Sequence, residues 1–239
     1  LLALRDAGAY PDMVQLGNET NGGMLWPDGK TWQAQPGEAI GGAAGFAELL
    51  RTAARAVRET DPHAGQAGAV RIAVHLADGG DNALYRRVFD DLSQRQVDFD
   101  LIGLSWYPYL HGSLGSLQNN LQDLVQRYGK PVVIMETSTG WTVDNADATG
   151  NVFDAEQARR GGYAVSAEGQ EQLLIDLYRV LAELPPGMGQ GVFWWAPEWL
   201  AVPGAGWRTG DGNGWENQAL FDFNGRALPS LSAFGRLPP

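Results

Sequence analysis

The sequence predicts an α/β protein with a parallel sheet, specifically part of a (β/α)8 TIM barrel. Three observations carry this reading. Five short runs, at 13–16, 71–76, 101–106, 132–135 and 191–195, are nearly continuous in hydrophobic residues. Strands covered on both faces read this way, whereas half-exposed strands alternate. Helical patterns separate the runs, and βα alternation demands a parallel sheet with right-handed crossovers. Polar and aromatic residues cluster just past the C-terminal ends of the runs, where barrel enzymes build their sites. The sequence has no Gly-x-Gly-x-x-Gly turn and no Walker motif, which disfavours a nucleotide-binding open sheet.

Residues 1–8 resemble the tail of a helix closed by Gly8. The strand at 13–16 runs into Asn18-Glu19. Apolar residues at helical spacing, with Ala between them, predict a helix over 38–59. A second over 84–92 follows Asp81-Asn82, a capping pair. A third over 114–128 stops at Gly129-Lys130-Pro131, and a fourth over 168–184 stops at Pro185-Pro186. Five strands cannot close an eight-stranded barrel. They are therefore expected to be strands 4 to 8, and residues 1–239 the C-terminal piece of one catalytic domain, with three βα units upstream. The first residue is Leu rather than Met, so a natural start and any signal peptide are also expected upstream. Segments 20–37, 140–167 and 196–214 are long and aperiodic, and each follows a strand. Loops of that length usually carry function.

Composition narrows the partners. A net charge of −11 argues against nucleic acid and anionic membrane, since both recruit basic patches. No apolar stretch approaches the roughly 18 residues of a membrane span. There are no cysteines, so thiol chemistry is excluded. Three scattered histidines, at 63, 75 and 111, lack zinc-ligand spacing. Nine tryptophans suit either core packing or flat platforms for sugar rings.

Two glutamates end buried runs. Glu19 follows the first run and Glu136 the fourth, at barrel positions 4 and 7, which face each other across the barrel mouth. Retaining cleavage of a glycosidic bond needs two carboxyl groups about 5–5.5 Å apart, one protonating the leaving oxygen and one attacking the anomeric carbon. Glu19 is expected to be the acid/base, with a raised pKa, and Glu136 the nucleophile, kept ionised. Asn18 is placed to bond the sugar 2-hydroxyl. Tyr107 is expected to bond Glu136, Trp195 to floor the cleavage point, and Trp26 to stack on a neighbouring sugar. His75 and Trp106 are further substrate-contact candidates. For each aromatic, core packing is the competing role.

Particular stretches narrow this to a family. The segments 13–19 (MVQLGNE), 21–27 (NGGMLWP), 102–108 (IGLSWYP), 193–199 (FWWAPEW) and 215–221 (WENQALF) resemble the arabinogalactan endo-β-1,4-galactanases, glycoside hydrolase family 53. The resemblance implies a secreted (β/α)8-barrel enzyme cleaving β-1,4-galactan and type I arabinogalactan, and a monomer is expected. A mannanase, xylanase or cellulase of the same clan, or a non-catalytic galactan-binding protein, is the alternative. After Glu136 the chain departs from the clan pattern, with Thr137-Ser138-Thr139-Gly140-Trp141. Oxygen-bearing residues alternate through Asn145, Asp147, Thr149 and Asn151, as in calcium loops. The resemblance implies a structural calcium there, with Asn145 in place of an Asp and Thr149 in place of a His.

Overall fold

The computed structural model describes residues 1–208 and 210–236. Five parallel strands form one sheet in the order β1 (Met13–Gln15), β4 (Arg71–Leu76), β5 (Leu101–Ser105), β6 (Val132–Thr137) and β7 (Gly189–Trp194). Each is hydrogen-bonded to its successor, so the sheet is an arc of a (β/α)8 barrel rather than a doubly wound sheet. Two short strands the sequence did not reveal, β2 (Gly23–Met24) and β3 (Gly29–Lys30), pair antiparallel in the loop after β1.

The helices form for local reasons. Helix α1 (Leu2–Asp6) opens the chain. Helix α2 (Gly42–Thr60) buries Phe46, Ala47, Leu50, Ala54 and Val57, one face of a 3.6-residue repeat. It starts four residues later than the expected 38. Glu38 instead pairs with Lys30 at 2.5 Å, and the backbone of Gly41 packs against the Asp28 carbonyl with no room for a Cβ. Helices α3 (Asn82–Gln94), α4 (Leu114–Tyr128) and α6 (Ala167–Ala182) are capped by Asp81, Ser113 and Ser166, whose oxygens accept backbone N–H groups. Helix α5 (Ala155–Gly161), capped by Asp154, lies inside the segment read as loop. Seven residues are too few to show helical periodicity.

Side chains alternate between two layers. Ile72, Val74, Ile102, Leu104, Val132 and Ile134 point outward into the main core under the helices. Ala73, Leu101, Val133 and Met135 point inward to a smaller cluster. Gly103 also faces inward, where a Cβ would come within 2.8 Å of Met135 and 3.3 Å of His75. Among the described residues, no helix is long and apolar enough to cross a membrane.

Candidate active site

A bulge decides where Glu136 points. Strict alternation would send residue 136 outward with Ile134. The β5–β6 register instead jumps from Leu104↔Ile134 to Ser105↔Glu136. The extra residue turns the strand, and Glu136 joins inward-facing Ser105. On the other side of the cleft the chain leaves β1 through Gly17 (φ 78°) and reaches Glu19 at φ 47°. A left-handed glutamate costs roughly 1–2 kcal/mol, and such strain persists only where the surroundings hold it. Here the Glu19 N–H points at His75 Nδ1, 3.5 Å away, and the Thr20 hydroxyl donates to the His75 carbonyl at 3.0 Å.

One carboxylate oxygen each of Glu19 and Glu136 and one nitrogen of His75 lie within 4.8 Å of one another. Burial depresses the His75 pKa to about 4, so the ring is neutral near pH 7. Its Nε2–H donates to Ser105 Oγ at 2.8 Å, which leaves Nδ1 as acceptor. His75 is fully buried and anchors the Glu19 turn from behind rather than meeting a ligand. With its lone pair aimed at the Glu19 amide, this trio does not read as a metal centre.

Glu136 is 7% exposed and Tyr107 3%. The Tyr107 hydroxyl donates to Glu136 Oε2 at 3.0 Å, the contact expected from the sequence. Gln15 Nε2 donates to Asn18 Oδ1 at 3.1 Å, which fixes the amide and turns its N–H groups toward Glu136. Both donors favour charge on Glu136. Burial and the neighbouring negative charge of Glu19 outweigh them and push its pKa up to about 7. The expectation that Glu136 would simply stay ionised is therefore corrected. A buried carboxyl beside a second negative charge holds its proton more tightly than a free one.

Tyr107→Phe removes a donor that stabilises charged Glu136, so its pKa is expected to rise further. The acid limb of the pH–activity profile should move up by about one to two units, matching a ~1.5–3 kcal/mol hydrogen bond to a charged group. An unmoved limb in a kcat/KM pH profile would count against this role.

The cleft around the pair is ≈ 410 Å³, with Asn18, Tyr107, His111, Trp195, Trp207 and Trp215 among its lining. Trp195 is thus where the sequence put it. His111, Trp207 and Trp215 were not singled out, although His111 sits only four residues past Tyr107 in the segment after β5. Trp106 is corrected: it is 1% exposed and packs in the outer core. With Ile102 and Leu104 facing out, residue 106 faces out as well, and no ring face is left for a sugar. Trp26 stands on the β2–β3 hairpin and is not among the residues lining the cleft.

The expected metal loop is folded around its own oxygens. The Asn151 amide nitrogen lies 2.6 Å from Asn145 Oδ1, 3.2 Å from the Asp144 carbonyl and 3.4 Å from Glu216 Oε1. A positive amide edge thus occupies a nest of oxygens. Glu216, fully buried with its pKa raised by that burial, also accepts the Ala146 N–H at 2.7 Å. Glu216 Oε2 and Asn151 Oδ1 are buried without a partner. A hard cation prefers such an all-oxygen set, so the residues fit calcium. Asp147 accepts the Thr149 and Asn213 N–H groups at 2.7 and 2.8 Å, and the Thr149 hydroxyl lies against Gly212. Both face the 212–213 backbone. Glu216 had been read only as part of a sequence signature. A carboxylate next to Asn217 and Gln218 in that motif was the signal.

A family model described as glycosyl hydrolase family 53 matches residues 1–234. The chain is 38% identical over 233 residues to an uncharacterised protein of Niallia circulans, covering 98% of this chain and 62% of the relative. It is 31% identical to an endo-β-1,4-galactanase of Bacillus subtilis, covering 93% of this chain and 54% of that protein. Among solved structures, a family 53 catalytic domain from Ignisphaera aggregans superposes with a TM-score of 0.88 at 41% identity, covering 99% of this chain and 62% of that one. The chain thus spans between 54% and 62% of the length of these proteins.

Proposed function

Because the chain belongs to glycosyl hydrolase family 53, we propose that it carries the catalytic pair of a retaining, endo-acting β-1,4-galactanase. The observation that carries this is the approach of the Glu19 and Glu136 carboxyl oxygens to within 4.8 Å. That is close to the ~5–5.5 Å of retaining pairs and short of the ~6.5–9.5 Å that leaves room for an inverting water. The galactanase named among the relatives supports galactan as the substrate.

In this reading Glu19 passes its proton to the leaving galactosyl oxygen while ionised Glu136 attacks the anomeric carbon. The C–O bond to the leaving sugar breaks and a galactosyl ester on Glu136 forms. Glu19, now a carboxylate, takes a proton from water, whose oxygen displaces Glu136. The Tyr107 hydroxyl and the Asn18 amide draw negative charge to Glu136 and so favour the ionised form that attacks. Trp195 offers a flat face to the galactose ring, and Asn18 reaches the 2-hydroxyl. Proton NMR of galactan digestion tests this. The first product should be the β-anomer, and an α-anomer appearing first would overturn it. The protein works outside the cell in this reading, because its polymeric substrate is too large to enter. It acts as a monomer, without nucleic acid or membrane partner.

We also propose a structural calcium at the 145–151 loop, held by Asn145, Asn151 and Glu216, with Asp147 and Thr149 bracing the loop backbone. The bound ion supplies charge compensation for buried Glu216 and ties the loops after β6 and β7 together. Removing calcium with EGTA is expected to lower the melting temperature by roughly 5–10 °C. That follows from ~2.7 kcal/mol at a hundredfold excess of ligand over Kd and ~2–4 °C per kcal/mol for a chain of this size. Glu216→Gln should abolish the EGTA response. A melting curve indifferent to EGTA and calcium would remove the site.

A further inference from the structure

Trp26 and Trp32 are 55% and 46% exposed, although exposed indoles forfeit the burial that usually keeps Trp inside. They are also held in place. Their rings meet edge to face with centroids 5.5 Å apart. The Lys30 ammonium sits 4.0 Å from the Trp32 ring centroid and 5.3 Å from that of Trp26. Lys30 is itself only 6% exposed and is fixed by Glu38 at 2.5 Å, which also accepts the Ala34 N–H at 2.6 Å. The Trp26 indole N–H donates to the Gly22 carbonyl at 3.1 Å. Gly22 admits both rings, since a Cβ there would lie 3.1 Å from Trp32 and 3.3 Å from Trp26. A cation beneath two indoles whose outer surface is left open by the described residues is a rigid platform rather than a packing fault.

Trp32 also forms one wall of a groove of ≈ 590 Å³, with Asn21 and Thr31 beside it, Phe46 of α2, and Arg87 and Asp91 of α3. That volume lies within the roughly 300–1,000 Å³ of small-molecule sites. Among the described residues Arg87 has no ion-pair or hydrogen-bond partner. An aromatic wall facing planar polar side chains suits a pyranose, whose C–H face stacks while its edge hydroxyls bond. The groove is distinct from the catalytic cleft. Asn21 donates to Asp78 Oδ2 at 3.0 Å, Asp78 Oδ1 lies 3.8 Å from His111 Nε2, and His111 lines the cleft. Asp78 therefore stands between the groove's Asn21 and the cleft's His111.

We propose that this groove and the Trp26–Trp32 platform form a second carbohydrate-binding site, which holds another stretch of a β-1,4-linked galactan chain outside the catalytic cleft. It rests on the galactanase reading. Its neutral polymer explains why a groove on a strongly acidic protein carries only one unpaired cation.

The test is affinity electrophoresis in gels containing β-1,4-galactan, using Glu136→Gln so that the polymer stays intact. The Glu136→Gln protein should be retarded. Adding Trp32→Ala should weaken the apparent affinity about tenfold, and Arg87→Ala, a surface change that leaves folding intact, several-fold. In the active enzyme both changes should lower the rate on long galactan relative to galactotetraose. Equal retardation of all three proteins overturns the second site and leaves the galactanase reading standing. So does an active parent that cuts galactan but is not retarded in the Glu136→Gln form. A parent that neither cuts nor binds galactan overturns both.

Discussion

Glu136→Gln is expected to abolish turnover of β-1,4-galactan while making the protein more heat-stable at alkaline pH. The loss of kcat should be on the order of 10⁶-fold, the size that follows removal of the nucleophile in another covalent mechanism. An amide of the same shape keeps the Tyr107 contact, so the effect is chemical. Residual hydrolysis within a hundredfold of the parent would sink the assignment. The stability effect has the opposite sign. In the folded protein burial and Glu19 raise the Glu136 carboxyl to about 7 from its ordinary 4.5. Between those values the native state binds more protons than the unfolded one. Stability contributed at this site is therefore present below about pH 4.5 and is lost as pH rises through about 7. Gln carries no charge to desolvate. The variant should melt above the parent at pH 8, and the gap should close toward pH 4.5. Differential scanning calorimetry at the two pH values reads this directly, and parallel melting curves would show that Glu136 is not held under strain.

Glu19→Ala is expected to cost about 10²–10⁴ in kcat/KM on galactan, the usual worth of general acid–base catalysis. The loss should depend on the leaving group. A dinitrophenyl galactobioside needs no proton to depart, so its first step should be nearly intact and the galactosyl ester on Glu136 should accumulate as a burst. Equal losses on both substrates would assign Glu19 to positioning. His75 holds the same turn through the Glu19 N–H and the Thr20 hydroxyl.

Much of the fold was legible because two periods are written into the chain. The continuous apolar runs and the 3.6-residue faces of α2, α3, α4 and α6 require strands sandwiched under helices, and alternation of the two requires a parallel sheet. The hairpin of β2 and β3 and the seven-residue α5 were not legible. Elements this short are stabilised by what they pack against, not by a pattern of their own. The Lys30–Glu38 pair, joining the hairpin to the approach of α2, is one such contact and delays the helix start.

The site divides in the same way. The sequence by itself determined the chemical types: two glutamates at strand ends, a tyrosine after Ser105, tryptophans in the loops, and an oxygen-rich segment at 145–151. Orientation came only with the tertiary structure. Residue 136 belongs to the outer face by alternation and to the cleft because of one extra residue in β6. Trp106, plausible as a sugar platform, is core because its strand partners face outward. Trp32, which has no pattern to recommend it, stays exposed because a buried lysine holds it there. Glu216 meets the 145–151 loop across 70 residues of chain at the Ala146 amide. The physical reason is common to all four. Side-chain type is local, but direction and burial depend on register, bulges and partners distant in sequence, and these exist only once the strands have paired and packed against the helices.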